Sequence, residues 1–545
     1  DDFANDQQRT PRQRFINRWR LEKQDPGAAL SEPVKPITFW LDRNIPLKYR
    51  DAITRGVLGW NAAFERIGFR QAIVVRQQGP DDSFDTLDVG AASIRWMTNA
   101  QPQFGAIGPS QVDPRSGEIL DADIGFESLS SRNVRNARAQ VLAPRSRTEW
   151  DALLAAPRAA AHTHGEEACT HADDAAEQLG YALDVLEARG DLDPQGPEAE
   201  AFVQAYLEDT TLHEVGHTLG LRHNFRSSRI YTDAQLSDPE FTRQHGLAGS
   251  VMEYAPINLA APGQRGGVPF QTVLGPYDYW AIEYGYKPLP GGPIGEQGEL
   301  KKIASRSGEP ALNYATDEDT RGFDPDPESN RFDLGTDPLE YARLRAQTVT
   351  ELMPGLVDRM VKDGEDYTVA RRAFNVLLSQ QGQAMFFASR NIGGLSTSRS
   401  HKGDKDGKPP VTLVDAKVQR DSLALLEQNV LSDKPFQFPA DLYNKLGVSN
   451  WLHWGTSPAN RKDFAVHETV LMWQDRVLDQ IMSPTVLRRM HDAELKLPAE
   501  ADVLTTAELI ERVTKAVYSE VDAVKEGEFT NRKPAISSLR RNLQR

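Results

Sequence analysis

His213-Glu214-Val215-Gly216-His217-Thr218-Leu219-Gly220-Leu221-Arg222-His223 sets three histidines, one glutamate and one glycine at spacings that suit a single metal centre. On an α-helix, residues four apart differ by about 40° in direction and about 6 Å in rise, so His213 and His217 present two imidazoles on one face. Glu214 points about 100° away from His213, outside the ligand direction but within reach of a water on the metal's open side. A continuing helix would carry His223 about 9 Å beyond His217 and roughly 240° around, facing away from the metal. Gly220 resolves this, because a glycine takes a positive φ at low cost and lets the chain turn back with His223 as a third nitrogen ligand. Three neutral imidazoles leave one tetrahedral position free, as a catalytic zinc site requires. Zinc there would activate a water, with Glu214 as base and then acid.

A bare H-E-x-x-H also occurs on ordinary exposed helix faces. The added Gly220 and His223 fix five positions, a coincidence on the order of 10⁻⁵ for a chain of this length.

With these residues in hand, the sequence resembles the metzincin clan of zinc metalloproteases, whose extended motif it matches at all five positions. Ser250-Val251-Met252-Glu253-Tyr254 follows, its methionine 29 residues beyond His223, and looks like the methionine turn of astacins and serralysins. The resemblance implies that Met252 is an apolar floor beneath the zinc histidines, and that Tyr254 binds zinc or stabilises the oxyanion. Ordinary core packing is the plainer reading of either residue. Residues 105–124 look like the edge-strand region above the metzincin cleft, where an extended peptide would add as a strand. Pro276-Tyr277-Asp278-Tyr279-Trp280-Ala281-Ile282 is similar to the helix that follows the turn. The implied fold is α+β, a zincin-like catalytic domain with a twisted mixed sheet and an active-site helix, followed by a mainly helical domain. It is similar to large bacterial exported zinc metalloproteases, which implies a periplasmic or extracellular location and further regions upstream.

Outward from the motif, Ile37–Leu41, Ala72–Val75, Ala92–Trp96 and Ile119–Ile124 have strand composition, the last as a half-buried or edge strand. Helical spacing runs over 50–66, over 172–189 up to Gly190, and from Pro197 through the motif. Residues 1–35 read as a polar lead-in, 36–290 as the catalytic domain, and 291–335 as an acidic linker rich in Pro and Gly. Residues 336–545 read as helical, over 336–361, 367–388, 411–431, 464–490 and 505–521, with a capping box at Thr505 and Glu508.

Composition narrows the function classes. At 39% hydrophobic and 26% charged residues the chain is globular, and its 545 residues suggest more than one domain. A net charge of −15 argues against nucleic acid as partner, since counterion release needs clustered Lys and Arg. No apolar run is long enough for a transmembrane helix. Cys169, the single cysteine, excludes intrachain disulfides and cysteine-only metal sites.

Weaker signals remain. His162, His164, Cys169 and His171 offer four soft or borderline ligands in ten residues, for a second metal or a thiolate that caps the zinc, against a solvated loop. Asp317, Asp319, Asp324 and Asp326 suit calcium in charge but lack the spacing of an EF-hand loop, which leaves a solvated linker. The function expected is a zinc endopeptidase acting on extended peptide, with one catalytic zinc. The rivals are a zinc-binding protein without catalysis and an amidase acting on peptidoglycan.

Overall fold

The computed structural model describes residues 7, 15–99, 105–128, 169–264, 266–320, 326–432, 434–449 and 461–518. Its sheet begins with β1 (Ile37–Leu41), whose Ile37, Phe39 and Leu41 are buried while the intervening residues are half-exposed, the alternation of a strand with one face on a core. β2 (Ile73–Gln77) and β3 (Ser93–Met97) flank it in parallel, and β6 (Ile119–Glu127) joins β3 in parallel. The short β4 (Ala106–Ile107) and β5 (Ser110–Val112) both run antiparallel to β6. The order is therefore β2-β1-β3-β6 with β4 and β5 at the edge. Ile119–Ile124 is thus an interior strand, and the edge consists of the residues just before it. With partners on both sides, β6 is almost wholly buried rather than half-buried.

Helix α1 (Leu47–Gly59) crosses between β1 and β2 and buries Ile53 and Val57. The expected single helix over 50–66 breaks at Trp60, and Asn61–Arg66 forms a separate short helix. The Trp60 indole N–H donates to the Leu212 carbonyl at 3.0 Å, which fastens this region to the long helix bearing the histidines. Two helices follow, α2 (His171–Arg189), ended by Gly190 at φ 78°, and α3 (Pro197–Thr218), opened by proline in its first turn. After them come α4 (Pro276–Tyr286), α5 (Pro338–Leu352), α6 (Thr368–Ser389), α7 (Ala416–Leu426), α8 (Val466–Ile481), α9 (Pro484–Lys496) and α10 (Thr506–Val517). β7 (Leu395–Thr397) and β8 (Val411–Leu413) make a small hairpin, so that the helix expected over 411–431 begins only at Ala416. Ser483-Pro484 splits the helix expected over 464–490, Ser483 capping α9. The fold is α+β, a small mixed sheet with helices followed by a mainly helical C-terminal part.

Three expectations about organisation are corrected. Residues 15–35 lie on the protein rather than trailing from it: Trp19 donates from its indole to the Thr218 carbonyl at 2.8 Å, and Arg18 donates to the Gly285 carbonyl at 2.7 Å. The stretch over 291–335 is no free linker, since Asp326, Ser329, Asn330, Phe332 and Asp333 are buried. The boundary between a catalytic domain over 36–290 and a helical domain from 336 does not divide the interior. One apolar core runs from Phe39 and Trp60 through Leu207 and Met252 to Leu352, Phe374 and Phe464. Burying a large side chain gives about 1.5–3 kcal/mol, so a core shared in this way couples the two parts.

Candidate metal centre

The site is built on the last turns of α3, where His213 and Glu214 are fully buried. The helix stops at Thr218, Gly220 adopts φ 91°, and a Cβ on it would meet the Asn17 carbonyl at 2.1 Å. The chain then turns and returns His223, whose Nε2 lies 3.1 Å from His217 Nε2.

Each imidazole is oriented through its other nitrogen. His213 Nδ1–H donates to the Val251 carbonyl at 2.7 Å, His217 Nδ1–H to the Leu221 carbonyl at 3.0 Å, and His223 Nδ1–H to Asp317 Oδ2 at 2.8 Å. Carbonyl and carboxylate oxygens only accept, so the protons sit on Nδ1 and the Nε2 lone pairs turn inward. Two lone pairs facing at 3.1 Å repel unless a cation stands between them. That separation is close to the edge of about 3.3 Å in a tetrahedron with zinc–nitrogen bonds of 2.0–2.1 Å. Together with Cys169 Sγ, the three histidine nitrogens form a group of ligand atoms all within 4.8 Å of one another. The donor set therefore fits zinc. Burial holds all three rings neutral: His217 falls to about 3, helped by His223, while His213 lies well below and His223 below its ordinary value.

Glu214 faces the same space. Its Oε1 lies 3.6 Å from Cys169 Sγ, and its Oε2 has no hydrogen-bond partner within the protein. Burial pushes this carboxyl up to about 7. Gly108, which follows β4, places its backbone against Glu214 and so sets the sheet edge directly beside the carboxylate. Of the weaker candidates, His162 and His164 lie outside the described residues, whereas Cys169 and His171 join this centre rather than forming another. His171 stacks on His213 with ring centres 4.1 Å apart, and its Nε2 is 3.3 Å from Asp209.

The stretch over 250–254 closes the floor. Asp278 on α4 accepts from Ser250 Oγ and from the Val251 N–H at 2.9 Å. The Val251 carbonyl is the acceptor for His213, and the Met252 carbonyl accepts from Asn224 N–H, next to His223, at 2.9 Å. Met252 lies so close beneath α3 that a Cβ on Gly216 would fall 2.2 Å from its sulfur. Tyr254 is buried with its ring 4.8 Å from that of His223, and its hydroxyl accepts from Thr170 N–H at 2.9 Å. Burial, then the neighbouring Cys169, pushes that phenol well above its ordinary value.

Sequence reasoning missed that Asp317 orients His223 and that Asp278 fixes the turn at Ser250 and Val251. Asp317 bridges His223 and Arg331, the latter at 2.9 Å, and although burial alone would raise its carboxyl, these partners hold it at about 2. Asp319 is bound by Arg399 and Thr316, and Asp326 by Arg226 and Thr397, so the calcium reading gives way to ion pairing. Asp324 lies outside the described residues. The signal for Asp317 was present only as an acidic stretch, and its partner is 94 residues away.

No helix among the described residues is long and apolar enough to cross a membrane. A family model described as Met-zincin matches residues 195–525. No curated protein and no solved structure matches the chain.

Proposed function

The chain belongs to the Met-zincin family, whose model spans more than half of it, and from that premise we propose that it is a zinc-dependent endopeptidase using Glu214 as its proton carrier. The observation that carries this reading is the convergence of three Nε2 lone pairs beside a buried carboxylate with a free oxygen. His213, His217 and His223 would hold the ion. Bound there, zinc supplies a Lewis acid that polarises the scissile carbonyl and makes water a nucleophile at neutral pH.

The chain's own groups do the rest. Glu214 takes the proton of the attacking water and passes it to the leaving nitrogen; a carboxyl raised to about 7 suits both roles near neutral pH. The Tyr254 hydroxyl donates to the oxygen that gains charge during attack. β4 and β5, short strands at the sheet edge beside Glu214, receive substrate in extended form and favour a peptide over a compact amide. Met252 supports the histidine helix from below. Export rests on the metzincin likeness and is part of the same proposal.

A peptide-library digest of the zinc-loaded chain beside Glu214→Gln tests the assignment. The variant is expected to keep its zinc and lose about 10²–10⁴-fold in kcat/KM. Equal turnover would remove Glu214 from the chemistry, and cleavage of peptidoglycan but no peptide would favour the amidase.

A further inference from the structure

Arg390 directly follows α6 and is only 5% exposed, yet every group bound to it is neutral. Its terminal nitrogens donate to the Ser329 carbonyl at 3.2 Å, to the Thr320 carbonyl and to the Asn330 amide oxygen. Its Nε–H has no partner. Asp326 and Asp333 ease its charge from nearby, but Asp326 is bound by Arg226 and Thr397, and Asp333 by Ser228 and Asn330. Arg476 on α8 is a second such cation. Its guanidinium lies 4.0 Å from the centre of the Phe386 ring and 5.9 Å from that of Trp473, and Arg390 lies 5.9 Å from the same Phe386 ring. Among the described residues Arg476 has neither a hydrogen bond nor an ion pair, and its Nε is buried. The Ser329 hydroxyl, fully buried beside Arg390, is unpartnered as well.

Burial, then Arg476, lowers Arg390 to about 10, and burial lowers Arg476 to about 10, so both stay charged at neutral pH. Two like charges thus share a region where water screens them poorly. Contact with an aromatic face returns about 0.5–2 kcal/mol, whereas withdrawing an ion from water costs several kcal/mol. The rings alone leave a deficit, and an anion would offset it. Guanidinium groups hold carboxylate or phosphate oxygens through a planar fork of N–H donors, to which a hydroxyl adds one more. We propose that Arg390, Arg476 and Ser329 form a binding site for a small oxyanion of the phosphate or carboxylate kind, where α6 meets α8 and apart from the metal centre. Arg390 is its buried floor, and Arg476 and Phe386, both half-buried, are its entrance. Through Thr320 the site backs onto the short helix Asp317–Thr320, whose Asp317 orients His223.

Thermal unfolding of the full zinc-loaded chain at one ionic strength, in sodium phosphate, acetate or chloride, tests the site. Phosphate or acetate is expected to raise the melting temperature above its value in chloride, and titration calorimetry with that anion to show saturable binding. A rise with phosphate alone assigns a phosphate, and a rise with acetate alone a carboxylate. Arg476→Met keeps an apolar stem over Phe386 without the charge, and should bind the same anion about 10–100-fold more weakly. Equal melting of wild type in all three salts overturns the proposal. An equal rise in Arg476→Met also overturns it, because the anion then binds elsewhere, zinc included. Should Arg476→Met fail to fold, Arg476→Lys replaces it, with the charge kept and the planar fork lost. A similar weakening is expected there, and undiminished binding overturns the proposal. Neither readout uses peptide turnover, so failure here is distinct from failure of the peptidase reading.

Discussion

Glu214 sits at full burial with one oxygen unpartnered, which is costly for a charge unless the surroundings or the proton compensate. Its carboxyl is raised from an ordinary 4.5 to about 7 by that burial. In the metal-free chain between these values, the folded form holds a proton that the unfolded form has released, so stability is lost as pH rises from about 4.5 to 7. Glu214→Gln lacks this titration. The melting temperature of the metal-free variant is therefore expected to gain on metal-free wild type across that window, by up to about 3 kcal/mol in stability. A gap that stays constant with pH would contradict the assignment. At this scale the motif was legible, because H-E-x-x-H-x-x-G-x-x-H encodes ligand directions through helix geometry alone. The place of Cys169 beside it was legible only as one of several open readings, since 44 residues separate Cys169 from His213.

Among elements, α3 and the turn after it followed from local rules, proline at the start and Gly220 at the end. The strands β1, β2 and β3 were also readable from β-branched and aromatic runs. The stretch over 317–335 was misread because acid and proline look like solvated chain until their partners are known. Its Asp317 orients His223, the carboxylate–histidine pairing that tunes metal ligands. Asp317→Asn is therefore expected to weaken zinc binding about 10–100-fold in competition with a chelator. Unchanged affinity would return Asp317 to a purely structural role. Similarly, Asp278 on α4 fixes the turn at Ser250 and Val251, a contact over 27 residues that no local pattern announces.

For the whole molecule, the metal centre depends on both parts of the chain. Gln178 on α2 binds Gln380 on α6 at 2.9 Å, Arg372 pairs with Asp184, and Arg189 pairs with Glu351 at 2.8 Å. Leu352, Phe374 and Leu377 share a core with the sheet. The composition shift near 290 was a real feature of the sequence, yet it marks a change of local structure and not a break in the interior. A fragment over 36–290 is therefore expected to show no cooperative thermal unfolding, whereas the full chain does. Cooperative unfolding of that fragment with zinc affinity equal to the full chain would mean that the helical part is dispensable.

Anomalous diffraction at the zinc edge from crystals of the zinc-loaded chain addresses the metal centre itself. One peak is expected at about 2.0–2.1 Å from the Nε2 atoms of His213, His217 and His223 together. A peak elsewhere, or none among those three nitrogens in a zinc-saturated crystal, would contradict the account.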